Sequence, residues 1–178
     1  MKTPWLPAVL TAALCVPATA LAETVRIPLH GYQEVPSISS AAAGEFRAHI
    51  APGDGSIAYE LSYGGLEGEV RQAHIHLGQR GANGGVSVFL CATAANPDPT
   101  GLAPTCPASG SVQGLIQAAN VIGPATQGLS AGELAELVAA IRAGVAYVNV
   151  HSTTFPGGEI RGQLGSRGQS FERHSHAD

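Results

Sequence analysis

Short stretches in which apolar and polar residues alternate run along most of the chain, and Gly, Pro, Asn and Asp separate them. This alternation is typical of β-strands with one face in a core, and short strands of this kind favour an antiparallel β-sandwich or barrel. The segment APGDGS, residues 51–56, predicts a hairpin because Pro and Gly supply the dihedral angles of a tight turn. We expect strands over residues 24–31, 44–51, 56–63, 70–78, 85–91, 145–152 and 158–165.

One short helix is expected to interrupt the strands, before the penultimate one. Ser130 and Glu133 form the S-x-x-E pattern of a helix-capping box, and Gly144 can end the helix in a left-handed conformation. The apolar residues between them share one helical face: Leu134, Leu137, Val138 and Ile141. We therefore expect this helix to cover one end of the sandwich or barrel.

The first 22 residues have the features of a secretory signal peptide. Lys2 precedes an apolar run, and the triplet Ala20-Leu21-Ala22 places small residues where signal peptidase cleaves. The run is too short to remain as a membrane span. We expect a signal peptide over residues 1–22, one domain over 23–165 and a flexible tail over 166–178, where apolar residues are few. The mature protein is then periplasmic or secreted.

The charge balance argues against nucleic acid as a partner. The 178-residue chain has 9 Lys and Arg against 13 Asp and Glu, a net charge of −4, and the signal peptide contains its only lysine. No cluster of basic residues supplies the positive field that binding of a polyanion needs.

Two cysteines remain once the signal peptide, with Cys15, has been removed. Cys91 and Cys106 bracket a Pro-rich loop, and an even number of cysteines in an exported protein indicates a disulfide. The alternative, a thiolate metal site, lacks the close C-x-x-C spacing that such sites use. We therefore predict that a disulfide joins the two cysteines and closes the loop between them.

Two histidines one residue apart occur in the segment QAHIHLG, residues 72–78. Because successive strand residues point to opposite faces, His74 and His76 lie on the face opposite the apolar residues of their strand. The same parity puts His151 and Arg161 of the last two strands on the polar face. His76 and His151 each begin a Gly-rich segment, so both lie where a strand leads into a loop. Binding and catalytic residues often lie on loops that a rigid sheet holds in place. Three imidazoles meeting there would hold copper or zinc; the alternative is that they are solvated surface residues.

Four segments resemble the CHRD domain, the module first described in chordin and widespread in bacterial exported proteins: LHGYQEVP, SAAAGEF, AHIHLGQRGANGGVSVFL and AGVAYVNVHSTTFPGGEIRGQL. The resemblance extends over nearly the whole mature chain up to Leu164. It implies an all-β, Ig-like fold, that is, an antiparallel sandwich or Greek-key barrel. It implies less about activity, because in chordin the module belongs to an extracellular binding protein.

Two of these segments are also similar to the copper site of copper/zinc superoxide dismutases. HIHLGQRGANGG resembles the segment in which two histidines bind copper, and VNVHSTTFPGGEIRGQL resembles the one with a further copper-ligand histidine and an arginine that guides superoxide. The similarity implies that His74, His76 and His151 bind copper and that Arg161 is the guiding arginine. The loop between the two cysteines has no histidine, so a zinc site like that of the dismutases is not expected.

A fourth copper ligand would be a water or another histidine. Strand parity places His49 on the same outward face, which makes it the first choice, and His30 is the second. The alternative for both is a solvated strand residue. His174 and His176 repeat the spacing in the tail, where the entropy cost of ordering the chain would weaken metal binding.

Two functions follow from these residues. The first is that of a copper-dependent superoxide dismutase, in which Arg161 attracts the anion to a negatively charged protein. Alternatively, Arg161 forms a cross-strand ion pair with Glu45 or Glu60. The second function is noncatalytic: an extracellular binding module, or a periplasmic protein that holds copper. Several carboxylates, Glu34 among them, are scattered over predicted turns and do not form the pair of a glycosidase.

Overall fold

A computed structural model describes residues 22–165, so the predicted signal peptide up to residue 21 and the predicted tail lie outside the described residues. The strands are β1 Glu23–His30, β2 Ala43–Ile50, β3 Ile57–Gly64, β4 Val70–Leu77, β5 Gly85–Ala92, β6 Gly110–Ile116, β7 Ala146–Ser152 and β8 Ile160–Leu164. All seven predicted strands are confirmed, and the helix α1, Leu134–Arg142, precedes the penultimate strand as expected. No helix within residues 22–165 is long and apolar enough to cross a membrane.

The eight strands form one antiparallel sheet in the order β5-β4-β7-β8-β1-β2-β3-β6, which curls into a nearly closed barrel. The end strands β5 and β6 approach each other along what we call the seam. Contacts across this region include the Tyr59 hydroxyl of β3, which donates to the Leu90 carbonyl of β5. The Ile122 N–H, shortly after β6, donates to the Ser87 carbonyl of β5 at 2.9 Å. The predicted all-β antiparallel class is therefore confirmed.

A disulfide joins Cys91, in β5, to Cys106, in the loop that leads into β6. This loop returns to the end of β5 and pairs with it in parallel at Ala92. The Ala92 N–H donates to the Pro104 carbonyl and the Cys106 N–H donates to the Ala92 carbonyl, each at 3.0 Å. The predicted disulfide is confirmed, and it ties together the chain segments on the two sides of the seam.

Strand β6 has no counterpart among the predicted strands. Val112 and Ile116 are buried, and Gly114 stands between them, so the apolar alternation that would indicate a strand is broken. A Cβ at Gly114 would lie 2.5 Å from the hydroxyl oxygen of Tyr59 on β3. The tyrosine ring thus occupies the space that a side chain at position 114 would need.

The apolar faces of the strands and of α1 fill the barrel as their alternation predicts. The helix buries all four of the expected residues, which are Leu134, Leu137, Val138 and Ile141. Glu133, rather than Ser130, is the last residue before the helix, and its carboxylate accepts the Ser130 N–H at 2.6 Å. Gly144 follows the helix with φ +74°, the left-handed conformation that was expected there.

Candidate metal centre

The polar face of β4, β7 and β8 is covered by three segments: residues 31–42, the loop 78–84 and residues 153–158. The first two are joined, because the Asn83 side chain donates to the Val35 carbonyl at 2.9 Å. Polar residues opposite the core therefore lie in a second buried layer instead of in solvent. The buried polar residues of this layer are Glu34, His74, His76, Asn149, His151, Glu159 and Arg161.

Three histidines meet in this layer, as predicted. His74 and His76 come from β4 and His151 comes from the neighbouring β7, where Asn149 pairs with His74 in the antiparallel register. Their exposed fractions are 1%, 7% and 6%, so the alternative interpretation as solvated surface residues is wrong. The pairing of β4 with β5 shifts register next to each of the two β4 histidines. Such irregularities change the direction of side chains, and they are common beside functional sites.

The spacing of the imidazoles is close to that of a metal-ligand set. Nδ1 of His74 lies 3.1 Å from Nε2 of His151. One nitrogen from each of His74, His76 and His151 can be chosen so that all three lie within 4.8 Å of one another. Since a metal–nitrogen bond is about 2.0–2.1 Å, two ligands of one ion lie at most about 4.2 Å apart. A small inward movement of the widest pair would complete the set.

Backbone carbonyls set the tautomers of two of these rings. Nδ1 of His76 lies 2.9 Å from the Gly84 carbonyl, and Nδ1 of His151 lies 3.0 Å from the Pro156 carbonyl. A carbonyl oxygen only accepts, so each Nδ1 carries the proton, and in a neutral ring Nε2 then keeps its lone pair. In His151 this Nε2 lies 3.1 Å from Nδ1 of His74 and 3.0 Å from the side-chain amide of Asn149. Nε2 of His76 is buried and has no hydrogen-bond partner. This arrangement, with one ring nitrogen held by a carbonyl and the other bare, is typical of metal-ligating histidines.

Burial keeps all three rings neutral. It lowers the pKa of His74 to about 2, and the charges that His151 and His76 would carry add to the effect. Burial likewise lowers the pKa of His76 to about 4, although the Gly84 carbonyl opposes the shift. The pKa of His151 is also lowered, again mainly by burial. Because protons compete with metal ions for imidazole nitrogen, rings with such low pKa values remain available as ligands well below neutral pH.

Glu34 lies at the edge of this layer, and sequence reasoning placed it only in a turn. Its side chain is 5% exposed, and its Oε1 is buried without a partner. Burial raises its pKa to about 7, although the positive charge of Arg161 opposes the shift. The signal that could have found it is its place in LHGYQEVP, one of the segments that resemble the CHRD domain.

Arg161 lies on the predicted face but is 1% exposed. In the pairing of β7 with β8 it stands opposite Asn149, in the same buried layer as the histidines. The alternative considered for Arg161, an ion pair with Glu45 or Glu60, does not form among the described residues. Glu45 pairs with Arg26 and Arg47 instead. The guanidinium of Arg161 packs on the ring of Tyr147, with Cζ 3.4 Å from the ring centroid.

The structure does not bring the other predicted ligands to the triad. His49 is exposed on β2, where Nδ1 lies 3.0 Å from the Thr24 hydroxyl. Strand parity is right for this residue, but β8 and β1 separate β2 from β7, so the curved sheet turns it away from the triad. His30 is also exposed and does not join the cluster. His174 and His176 lie outside the described residues.

These features define a class of protein: a small antiparallel β-barrel that buries a three-histidine cluster beneath the loops on one side. The chain belongs to the CHRD domain family, whose model matches residues 25–164. The match runs from the first core residue of β1, Val25, to the last of β8, Leu164. No curated protein and no solved structure matches the chain. The predicted membership of the family is thus confirmed, and the similarity to the copper site of the dismutases stays a prediction.

Proposed function

We propose that this protein binds copper through His74, His76 and His151 and that it dismutates superoxide. The main support for a metal site is the pair of bonds from Nδ1 of His76 and His151 to backbone carbonyls, which keeps the lone pair on each Nε2. Nε2 of His76 is buried without a hydrogen-bond partner, whereas Nε2 of His151 faces Nδ1 of His74 and the side-chain amide of Asn149. Neutral imidazoles suit copper and zinc, and at a given nitrogen site Cu²⁺ binds more tightly than Zn²⁺. Copper is therefore the metal that we assign.

Copper bound there would accept and donate one electron in turn, so that two superoxide anions and two protons yield oxygen and hydrogen peroxide. The contribution of the chain is to bury the three imidazoles, keep them uncharged and hold their tautomers. Arg161 adds a positive charge behind the ring of Tyr147, and we propose that this charge helps to attract the anion.

We also propose that the protein acts in the periplasm or outside the cell after cleavage near Ala22. The disulfide between Cys91 and Cys106 supports this, because disulfides persist in oxidising compartments.

A second function, holding copper without turnover, is favoured by a different observation. The three histidines are at most 7% exposed, and Arg161 is 1% exposed. A dismutase needs an open path for a small anion, whereas a protein that holds copper benefits from a covered site.

Two measurements distinguish these functions: the affinity for copper and the rate of superoxide dismutation. The exported protein would be saturated with Cu²⁺, its affinity measured by competition with a chelator and its site examined by EPR. The test variant is His74→Ala with His76→Ala, and the control is His49→Ala, which removes an exposed histidine outside the triad.

We expect one tightly bound copper ion in the wild type and the control, its loss in the double variant, and dismutation only where copper is bound. Copper binding with a rate equal to that of the double variant would contradict the dismutase and leave the holding function. Equal affinity in all three proteins would contradict the metal site itself.

A further inference from the structure

Three side chains are stacked at the edge of the histidine cluster. The ring of Tyr147 lies parallel to that of His76, with an interplanar angle of 3° and 4.7 Å between centroids. On Tyr147 lies the guanidinium of Arg161, whose Cζ is 3.4 Å from the ring centroid. Tyr147 is 2% exposed and Arg161 is 1% exposed. His76 is therefore in contact with Tyr147, which is in turn in contact with Arg161.

The same arginine holds the loop 78–84. Nη2 of Arg161 donates to the Ala82 carbonyl at 2.9 Å and to the Gln79 carbonyl at 3.3 Å. Nη1 donates to Oδ1 of Asn83 at 3.3 Å. A guanidinium can do this because its five N–H groups point outward in one plane, while its face remains free to pack on an aromatic ring.

The end of this loop sets the tautomer of His76. The Gly84 carbonyl lies 2.9 Å from Nδ1 of His76, and the Gly84 N–H donates to the Tyr147 hydroxyl at 3.2 Å. Arg161 therefore reaches His76 by two routes, through the stacked ring of Tyr147 and through the backbone that presents the Gly84 carbonyl. Each route constrains the orientation of the imidazole.

We propose that Arg161 is a positioning residue of the metal site. It holds Tyr147 and the loop 78–84, and these hold His76 with Nδ1 protonated and Nε2 free for a metal ion. The inference rests on the proposed function in one respect, because the orientation of His76 matters to function only if His76 is a ligand. This positioning role differs from an electrostatic role, because a lysine at position 161 would supply the same positive charge.

The test replaces the arginine in two ways. Arg161→Lys keeps the positive charge but loses the planar fork, and Arg161→Met loses both. The control is Arg80→Met, which removes an exposed positive charge from the same loop. The first measurement is the ¹⁵N NMR spectrum of the histidine rings in the metal-free protein at pH 7.5, since the two tautomers have distinct nitrogen shifts.

In the wild type and in Arg80→Met we expect His76 as the single tautomer with Nδ1 protonated. In both Arg161 variants we expect His76 to populate both tautomers. A wild-type His76 spectrum in Arg161→Lys would overturn the inference, because the charge alone would then suffice. If the Arg161 variants do not fold, Tyr147→Leu interrupts the stack and should give the same mixture of tautomers.

Copper affinity is the second measurement. Residues that orient a metal ligand usually change metal affinity by about 10- to 100-fold when they are replaced. We expect Arg161→Lys to lose at least about tenfold and Arg80→Met to stay within about twofold of the wild type. Wild-type affinity in Arg161→Lys would contradict the positioning role. If the wild type itself binds no copper, the proposed function fails, while the NMR measurement still decides whether Arg161 positions His76.

Discussion

Close packing in the polar layer restricts which residue can stand at some of its positions. Gly158 shows this most directly. Its backbone φ angle is +127°, which residues other than glycine rarely adopt. A Cβ at this position would lie 2.5 Å from Oε1 of Glu34 and 2.7 Å from Nδ2 of Asn149. Glycine is thus required where the 153–158 segment approaches the layer.

We expect Gly158→Ala to lower the free energy of unfolding by about 1–3 kcal/mol, since it combines backbone strain with a steric clash. Urea denaturation followed by circular dichroism measures the change. Gly157→Ala is the matched control, because a Cβ at that neighbouring position meets nothing within 4 Å. Its effect should stay within about 0.5 kcal/mol; equal losses in the two variants would show that the close approach at position 158 is unimportant.

The carboxyl of Glu34 makes stability depend on pH. Its pKa rises from 4.5 in the unfolded chain to about 7 in the folded protein. Between these values the folded protein keeps a proton that the unfolded chain releases, so this group lowers stability as pH rises from 4.5 to 7. Glu34→Gln removes the titrating group while keeping the shape of the side chain.

In the metal-free protein, Glu34→Gln should therefore have little effect at pH 4.5 and gain about 2–3 kcal/mol over the wild type by pH 8. Urea titrations of both proteins at several pH values measure this difference. A difference that does not vary with pH would contradict the shift, because it would mean that the pKa of Glu34 is the same in the folded and the unfolded protein.

At the scale of elements, a disulfide helps to hold the two end strands of the sheet together, in addition to packing. The disulfide joins cysteines 15 residues apart across the loop between β5 and β6. Closing a loop of this length restricts the unfolded chain, which in the chain-entropy account stabilises the folded protein by about 3 kcal/mol.

Replacing Cys91 and Cys106 together by serine should lower the free energy of unfolding by about that amount. Urea denaturation without reductant measures the loss. Dithiothreitol should bring the wild type close to the double variant and leave the variant unchanged. A wild type that is insensitive to reductant would contradict the stabilising role of the bond.

Six strands were predictable because apolar residues stand at every second position, as Phe46, Ala48 and Ile50 do in β2. In β8 a glycine stands between Ile160 and Leu164, but polar residues alternate with these two and still indicate a strand. Strand β6 was not predicted, because Gly114 makes room for a tyrosine ring that is distant in sequence and because Leu115 is apolar but exposed, so apolar and polar residues do not alternate. Parity also put His74, His76 and His151 on one face. It did not predict their burial, since that depends on loops folding back over the sheet. For His49, parity was right, but the strand order decides which residues on one face are neighbours.

At the scale of the whole molecule, the described residues 22–165 form a barrel with a cluster of neutral imidazoles on one side, so an ion bound there would stabilise the folded state by mass action. At a free copper concentration about 100 times the dissociation constant, the gain is about 2.7 kcal/mol, with roughly 2–4 °C in Tm for each kcal/mol. Differential scanning fluorimetry with and without copper measures the shift. It should vanish in His74→Ala with His76→Ala, and an equal shift there would place the ion elsewhere.

The sheet order has a consequence for how the protein must be made. Strands β5 and β6 each have a ladder partner on one side only, and the loop closed by the disulfide helps to keep them side by side. Where thiols remain reduced, their unpaired backbone groups become templates for a strand from another copy. Material accumulated in a reducing cytosol would then be lost to aggregation, and oxidation soon after synthesis would protect the yield.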